Sequence, residues 1–372
     1  MSKDIKKIKI DTPSLVIFRE KFFNNILKLK NFFFDSNIII RPHAKTHKCP
    51  EIAKIQIKNG AKGICVQKIS EAEVFANNGI NDIFLTNQVV GQNKLSRIPK
   101  LASSINFSIC VDNVLNLKDI NKVCVESNTT LKCFIELNIG MNRCGVRSTS
   151  ELNSLMQYFQ KSPNLIFSGV HAYTGHLQHI DSISERQKSN KLAMCQLKKY
   201  LDFIRKNYKN EFLISGGGTG TFHIDKNENI LDEIQPGSYI FMDSHYSAIN
   251  NFEDSPEFEQ SLYVLGSIMS INSESIILDV GTKSIAIESG FPKLFNDNDA
   301  KTIQVSDEHI VIKCNTKKYK LGEKVFEIPS DELLIKEYQT YAFRGKGINI
   351  YNPNNLFDDS KKSNIYIDIH FI

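Results

Sequence analysis

The repeated alternation of strand-like and helix-like segments is the feature that most limits the folds open to this chain. Between about residues 20 and 245, short apolar runs alternate with stretches of helical apolar spacing about eight times. Such alternation is typical of parallel strands joined by helical crossovers. Strands are predicted over residues 38–41, 63–67, 82–86, 107–112, 132–138, 166–173, 212–215 and 239–242. Helices are predicted between them, for example over residues 50–58, 69–77 and 150–160.

Eight β/α units over roughly 225 residues match the repeat number and the length of a TIM-type (β/α)8 barrel. An open doubly wound sheet is the alternative, but such sheets more often have fewer strands. After about residue 250 the runs are short and alternate in polarity between turn residues, which predicts an antiparallel β domain. We therefore expect an α/β fold with a barrel over residues 20–249. The β domain would comprise residues 1–19 and 250–372, and the N-terminal strand is a candidate to join its sheet.

Composition and charge exclude several classes of protein. The net charge of +5 is small and spread along the chain, which argues against a nucleic-acid-binding protein. The sequence has neither a run of about 18 apolar residues nor an apolar N-terminal signal segment, so a membrane or secreted protein is not expected. The eight cysteines form no CxxC pair, and several lie in apolar runs, as buried thiols in a reducing compartment do. A cytoplasmic location is the simplest expectation.

Lys45 is a candidate for chemistry because of the segment that holds it. It follows a short apolar strand, is flanked by His43 and His47, and precedes a helix that begins near Pro50. A desolvated lysine near other potential cations has a lowered pKa and can attack a carbonyl group. The alternative is a surface lysine in a basic loop. The choice between the two depends on what the other strand ends carry.

A glycine-rich segment, residues 215–221, follows the predicted seventh strand. Three consecutive glycines leave backbone N–H groups free to converge on an anion, and Thr219 and Thr221 add hydroxyl groups. Barrels commonly bind phosphate at this position, although a flexible turn has the same composition. A lysine at one strand end and a phosphate cradle at another together indicate pyridoxal 5′-phosphate.

Several segments closely resemble those of D-threonine aldolases, 3-hydroxy-D-aspartate aldolases and D-serine dehydratases. These are fold-type III pyridoxal-phosphate enzymes with an alanine-racemase-like barrel. The resemblance extends from residue 11 to about residue 350, and the RPHxKTH pattern around Lys45 is its most specific part. The segments are residues 41–48 (RPHAKTHK), 85–91 (LTNQVVG), 216–219 (GGGT), 235–239 (QPGSY), 278–284 (LDVGTKS) and 288–292 (ESGFP).

The resemblance implies that Lys45 is the catalytic residue and carries the cofactor covalently. Arg143, in a segment similar to that of alanine racemases, would contact the phenolic oxygen or the ring of the cofactor. Pairing of Arg143 with Glu136 is an equally open interpretation. The residues implied to hold the cofactor phosphate are Gly217, Gly218 and Thr219.

Four further residues are candidates for the cofactor site. The resemblance implies that Tyr173, with His171, lines the face of the cofactor. Both side chains could equally be packed barrel residues with satisfied hydrogen bonds. Ser215 and Tyr239 lie within or next to the resembling segments and are the remaining cofactor-binding candidates.

The metal site of the related enzymes is incomplete in this sequence. The family binds a divalent metal near the substrate hydroxyl through a histidine-containing segment that follows an Ile-Pro pair. Here Ile328 and Pro329 precede Ser330 and Asp331, and the expected histidine is missing. Asp331 is thus a single metal-ligand candidate, and one carboxylate alone is a poor site. A divalent metal is expected only if a neighbouring residue completes the shell.

The resemblance implies a lyase that cleaves a β-hydroxy D-amino acid to glycine and an aldehyde. Dehydration of a D-serine-type substrate, metal-independent racemisation and a non-catalytic pyridoxal-phosphate carrier are the alternatives, and the full β domain disfavours the carrier. A racemase would need a tyrosine of the β domain that faces Lys45, for which Tyr263, Tyr338 and Tyr341 are available. The expected partners are a small amino-acid substrate and a second copy of the chain, because related enzymes are usually homodimers.

Overall fold

The computed structural model describes residues 11–330, and the backbone of residues 349–351 and 366–370. The chain divides into two compact units, each with its own sheet. The first comprises the described residues of Met1–Leu29, Ser238–Ala248 and Pro256–Ile372, and the second comprises Lys30–Gly237 and Ile249–Ser255. The described chain starts with strand β1 (Ser14–Phe18) and helix α1 (Arg19–Phe32).

The second unit is an eight-stranded parallel sheet that closes on itself. Its strands are β2 (Ile39–Ile40), β3 (Ile64–Val66), β4 (Asp82–Leu85), β5 (Asn106–Val111), β6 (Leu131–Glu136), β7 (Leu165–Ala172), β8 (Leu213–Gly216) and β9 (Glu233–Ile234). Their order in the sheet is β2-β9-β8-β7-β6-β5-β4-β3. A parallel bridge between His43 and Cys65 joins the two ends. The predicted TIM-type architecture is therefore confirmed.

Helices lie between these strands, as the alternation predicts. They are α2 (Pro50–Lys58), α3 (Ile69–Asn77), α4 (Gln92–Leu95), α5 (Ile98–Ser104), α6 (Val114–Glu126), α7 (Thr149–Gln160), α8 (Ile183–Asn207) and α9 (Phe222–Glu228). Pro50 is the first residue of α2, and the Ser148 hydroxyl caps α7 by accepting a hydrogen bond from the N–H of Glu151 at 3.2 Å. Among the described residues no helix is apolar over enough of its length to cross a bilayer, since even the 25-residue α8 carries charges throughout.

The eighth barrel strand lies earlier in the chain than predicted. The sequence predicted a strand over residues 239–242, but the strand is β9, and Ser238–Ile240 form a 3₁₀ turn. The backbone N–H of Gln235 still donates to the carbonyl of Gly216. Pro236 follows and has no N–H to donate, so the strand ladder ends there. Residues 239–242 are instead buried within the first unit, which accounts for their apolar character.

The first unit is an antiparallel β domain, as predicted. Besides β1, its strands are β10 (Leu262–Ile271), β11 (Ser275–Leu278), β12 (Lys293–Leu294), β13 (Lys301–Val305), β14 (Ile310–Lys313), β15 (Lys324–Ile328), β16 (Asn349–Tyr351) and β17 (Tyr366–His370). Strand β1 pairs antiparallel with β10 and β17, so the N-terminal strand joins this sheet as expected. The rings of Phe18, Tyr263, Phe295 and Phe326 pack together in its core.

Glu327 of β15 is a buried carboxyl group in the β domain. It is 0 % exposed, and neither carboxylate oxygen has a hydrogen-bond partner in the part of the chain that the structure describes. Its neighbours across the sheet are the apolar residues Val264 and Leu294. Burial raises the pKa of Glu327 from 4.5 to about 8, so the group is mostly protonated at neutral pH.

Replacement of Glu327 by glutamine is expected to remove a pH dependence of the folding stability. The folded-state pKa lies above the unfolded value, so the stability from this group is fully present below about pH 4.5 and is lost as the pH rises through about 8. The loss in the wild-type protein should be on the order of a few kcal/mol. Urea denaturation on either side of this pH range measures it. Equal pH dependence in Glu327→Gln and wild type would contradict the assignment.

Candidate active site

Lys45 lies just past the carboxyl end of β2, in a 3₁₀ turn over Ala44–Thr46. The Nδ1 atom of His43 accepts a hydrogen bond from the backbone N–H of Lys45 at 3.2 Å, which caps the turn. The Nε2 atom of His43 is 3.0 Å from the hydroxyl of Thr86, which follows β4. The backbone of Lys45 is thereby fixed to two parts of the barrel, while its side chain is half-buried.

His43 and His47 are neutral neighbours of Lys45, which differs from the cations expected from the sequence. Desolvation, with the nearby Lys45 charge, lowers the pKa of His43 well below its ordinary value. Burial lowers the pKa of His47 to about 4. The His47 ring contacts Gln56 through Nε2 and accepts from the Cys49 N–H through Nδ1. Both histidines therefore shape the turn through hydrogen bonds and add no positive charge to it.

Three of the predicted residues lie around the ring of Tyr173. The Nζ atom of Lys45 is 5.7 Å from the centre of this ring, and the Cζ atom of Arg143 is 5.6 Å from the same centre. The rings of His171 and Tyr173 stack, with centroids 6.4 Å apart and 15° between their planes. The barrel therefore gathers these four side chains at the carboxyl ends of its strands, the face on which barrel enzymes hold their active sites.

Glu136, the last residue of β6, joins this group from inside the barrel. Its Oε2 atom accepts a hydrogen bond from Gln88 Nε2 at 2.6 Å. Its Oε1 atom is 3.7 Å from Arg143 Nη2 and 3.8 Å from His171 Nδ1. Arg143 thus lies near both Glu136 and Tyr173, and its contact with the cofactor stays a prediction. Gln88 was not predicted, because a glutamine in a loop has no spacing signal of its own.

Cys110, Glu136 and His171 place one sulfur, one oxygen and one nitrogen atom within 4.8 Å of one another. This donor set suits a borderline ion such as zinc. Zinc requires the thiolate, however, and burial together with the Glu136 charge raises the pKa of the Cys110 thiol well above its ordinary value. The positive charge of Arg143 also competes for Glu136. Asp331, the predicted metal ligand, lies outside the described residues.

The glycine-rich loop after β8 is held in shape by side chains of the barrel. The Oε1 atom of Gln178 accepts a hydrogen bond from the Gly220 N–H at 2.8 Å, and its Nε2 atom donates to the Thr221 hydroxyl at 3.0 Å. That hydroxyl donates in turn to Asp225 at 2.7 Å. Gly217 has a φ of +65°, which glycine adopts without strain. The loop is therefore a fixed structure and not a flexible turn.

The inner side of this loop suits an anion. The backbone N–H groups of Gly217 and Gly218 have no acceptor among the residues that are described. A Cβ atom at Gly217 would lie 2.6 Å from Asp225 Oδ2, and one at Gly218 would lie 2.5 Å from Gln178 Oε1, so side chains are excluded from both positions. Two unpaired N–H groups in a cradle of this shape fit a phosphate group.

Ser215 belongs to a buried chain of hydrogen bonds in the barrel. Its hydroxyl donates to Glu233 Oε1 and accepts from Gln235 Nε2, both at 2.7 Å. The Oε1 atom of Gln235 is 3.2 Å from His171 Nε2. Glu233 also accepts a hydrogen bond from Arg41 Nε at 2.7 Å. This series of hydrogen bonds therefore runs from Arg41 to His171, and Arg41, Glu233 and Gln235 were not predicted from the sequence as its members.

Tyr239 lies in the other unit. It is buried in the segment Ser238–Ala248, and its ring packs against Phe258 with centroids 5.6 Å apart. Its prediction as a cofactor contact came from the resembling segment over residues 235–239, and the structure places it in a 3₁₀ turn and not in a barrel strand. A contact with the cofactor stays a prediction for this residue.

Comparison with known proteins relates both parts of the chain to one group. The family described as "Alanine racemase, N-terminal domain" matches residues 17–245, and that described as "Putative serine dehydratase domain" matches residues 261–331. The chain is 34% identical to the 3-hydroxy-D-aspartate aldolase of Paracoccus denitrificans (strain Pd 1222), over 86% of this chain and 85% of that protein. It is 37% identical to the D-threonine aldolase of Arthrobacter sp, over 82% and 80%. The crystal structure of D-threonine aldolase from Filomicrobium marinum superposes with a TM-score of 0.84 at 32% identity, covering 87% of this chain and 88% of that one.

Proposed function

The chain belongs to the D-threonine aldolase and 3-hydroxy-D-aspartate aldolase family, and from this premise we propose that it is a pyridoxal-phosphate-dependent lyase. Its substrate is a β-hydroxy D-amino acid of the D-threonine or 3-hydroxy-D-aspartate type, which it cleaves between Cα and Cβ to glycine and an aldehyde. The observation that carries this proposal is the convergence of Lys45 and Arg143 on Tyr173 at the carboxyl ends of the barrel strands.

Pyridoxal 5′-phosphate, when bound to Lys45, supplies an electron sink for the electron pair of the bond that breaks at Cα. Lys45 would hold the cofactor covalently through Nζ, and Arg143 would donate hydrogen bonds to its phenolic oxygen or ring. Tyr173, which lies between these two cations, would line the cofactor. The backbone N–H groups of Gly217 and Gly218, with Thr219, would bind the phosphate.

The reaction also needs a group that removes the proton of the β-hydroxyl. His176 and His179 lie in the loop after β7 and have exposed side chains. Desolvation lowers the pKa of His176, so this ring is a neutral base at pH 7. We expect one of these two histidines to accept the hydroxyl proton.

A divalent metal, a cytoplasmic location and a homodimer are finer parts of the proposal. The metal would act on the β-hydroxyl, with Asp331 as one of its ligands. Elemental analysis of the purified protein tests for the metal. Light scattering in solution tests for the dimer, and cell fractionation tests for the location.

Dehydration of a D-serine-type substrate is the second candidate, favoured by the serine dehydratase domain matched over residues 261–331. Racemisation is less well supported. Tyr263 is fully buried within the β domain, where its hydroxyl donates to the Gln260 carbonyl at 3.0 Å and accepts from Lys21 Nζ at 3.1 Å. Burial raises the pKa of the Tyr263 hydroxyl above its ordinary value, so this group stays protonated. The other two candidate tyrosines, Tyr338 and Tyr341, lie outside the described residues.

Incubation of the purified protein with D-threonine, D-3-hydroxyaspartate, D-serine and D-alanine tests the proposal. Glycine and an aldehyde should form from one of the first two substrates, and EDTA should abolish their formation if a metal takes part. Ammonia and pyruvate from D-serine alone would replace aldol cleavage by dehydration. Loss of optical activity without cleavage, insensitive to EDTA, would replace it by racemisation.

Gly217→Ala is expected to weaken cofactor binding at least tenfold. The added Cβ atom would lie 2.6 Å from Asp225 Oδ2 and would strain a backbone at φ +65°, so the loop must shift and its N–H groups lose their convergence. Gly79→Ala is the matched control, because Gly79 has a φ of +86° and no described atom lies within 4 Å of its Cβ position. Titration of each apoprotein with pyridoxal phosphate measures the affinity. Equal affinities in the two variants would contradict the cradle.

A further inference from the structure

The hydrogen-bond chain from Arg41 to His171 has a direction that follows from its first member. Glu233 pairs with the guanidinium of Arg41 and so acts as an ionised carboxylate, which can only accept. The Ser215 hydroxyl, 2.7 Å from Glu233, must therefore donate its single proton there. Its remaining lone pairs can only accept, so the Gln235 group that faces it, also at 2.7 Å, is the amide N–H.

This direction fixes the protonation of the His171 ring. With the Gln235 N–H turned to Ser215, the amide oxygen faces His171 Nε2 at 3.2 Å, and Nε2 must carry the proton. If each of these hydrogen bonds ran in the opposite direction, the Ser215 and Glu233 oxygens would lie 2.7 Å apart with no proton between them. The proton of His171 would then be on Nδ1, which lies 3.8 Å from Glu136, too far for a hydrogen bond. The forward direction is therefore the stable one.

The Nδ1 atom of His171 then has a buried lone pair, to which no group of the described residues donates a hydrogen bond. The histidine itself is 2 % exposed. Glu136 Oε1 lies beside it, so two acceptors face the same space. The cation at this space is Arg143, whose Nη2 atom is 3.7 Å from Glu136 Oε1 and whose Cζ atom lies over the Tyr173 ring.

We propose that Ser215 is a positioning residue, which, through Gln235, holds His171 as the Nε2–H tautomer so that Nδ1 and Glu136 together orient the Arg143 guanidinium. This inference rests on the proposed function only for its effect on activity, because Arg143 is the cofactor contact in that proposal. The tautomer itself is a property of the folded protein. Ser215 thus influences Arg143, at the strand ends, through the side chains of Gln235 and His171.

Nitrogen NMR of ¹⁵N-histidine-labelled protein tests the tautomer, with the His171 signals assigned by their loss in His171→Asn. In the wild type, Nε2 should have the shift of a protonated ring nitrogen and Nδ1 that of an unprotonated one. Ser215→Ala frees the Gln235 amide to turn, so the Nδ1–H tautomer should appear. Ser215→Thr keeps the hydroxyl and should restore the wild-type signals.

Kinetics of the same variants test the link to Arg143. Ser215→Ala should lower kcat/KM about tenfold, the size of about one lost hydrogen bond, and Ser215→Thr, which keeps the hydroxyl, should lose less than Ser215→Ala. A wild-type His171 protonated at Nδ1, or an unchanged tautomer in folded Ser215→Ala, would overturn the proposal. If Ser215→Ala fails to fold, Glu233→Gln provides the second test, because its amide can donate to Ser215 and reverse the hydrogen bonds, so the Nδ1–H tautomer should appear. Absence of activity on every substrate would sink the proposed function and leave the tautomer result standing.

Discussion

Purified Lys45→Ala protein is expected to lose activity on every substrate by at least about a thousandfold, because the amine that bonds to the cofactor is lost. The side chain sits at the carboxyl end of β2, and its turn is fixed by the contact from His43 to its backbone N–H. Truncation at Cβ removes the amine and leaves that backbone contact intact. The fold and the thermal stability should therefore change little.

Two matched variants separate the amine from its charge. Lys45→Arg keeps a cation over Tyr173 but offers no amine that can bond to the cofactor carbonyl, so it should be as inactive as Lys45→Ala. Lys54→Ala removes an exposed lysine of α2 and should keep full activity. Initial rates of glycine formation measure all three. Activity of Lys45→Arg within tenfold of wild type would show that the charge, and not a covalent bond, is what the site requires.

Arg41→Met is expected to destabilise the fold by about 3–5 kcal/mol, the usual cost of leaving a buried carboxylate without its partner. Arg41 is 7 % exposed and contacts both Glu233 and Asp82. Burial opposes the charge of Arg41, but the two carboxylates outweigh it and raise its pKa above the ordinary value. Methionine fills a similar volume but leaves Glu233 buried with no cation.

Arg97→Met is the control for this prediction. Arg97 forms a bidentate pair with Glu73 that is about one-third exposed, and such surface pairs contribute about 1 kcal/mol or less. The double variant Arg41→Met/Glu233→Gln removes the unpaired charge and should recover part of the loss. Urea denaturation of the three proteins measures the differences. Equal destabilisation by Arg41→Met and Arg97→Met would mean that the barrel interior screens these charges as water does.

The sequence predicts the barrel well because its signals are local. Seven of the eight predicted barrel strands overlap strands of the structure, and Pro50 and Ser148 mark helix starts that the structure reproduces. The eighth strand was misplaced because β9 has only two residues, of which one is Glu233, so no apolar run marks it. The longer apolar run over residues 239–242 took its place, and its burial is a tertiary property of the β domain.

The candidate site is predictable only where a residue type is unusual at its position. Lys45 after a buried strand and glycines at positions 216–218 have this property, and the structure places them at the carboxyl ends of the barrel strands. Gln88, Glu233 and Gln235 do not, because their interactions join residues that are far apart in sequence. The charge state of a side chain is harder still to predict from sequence. The neutrality of His43 and His47 follows from their burial, which local sequence does not reveal.

Reduction of the cofactor-loaded wild-type protein with borohydride, followed by digestion and mass spectrometry, tests the central claim most directly. Borohydride turns a carbon–nitrogen double bond between a lysine and pyridoxal phosphate into a stable single bond. If Lys45 binds the cofactor covalently, one labelled peptide is expected, with the added mass on Lys45. A label on another lysine, or an unlabelled protein after full loading with the cofactor, would contradict it.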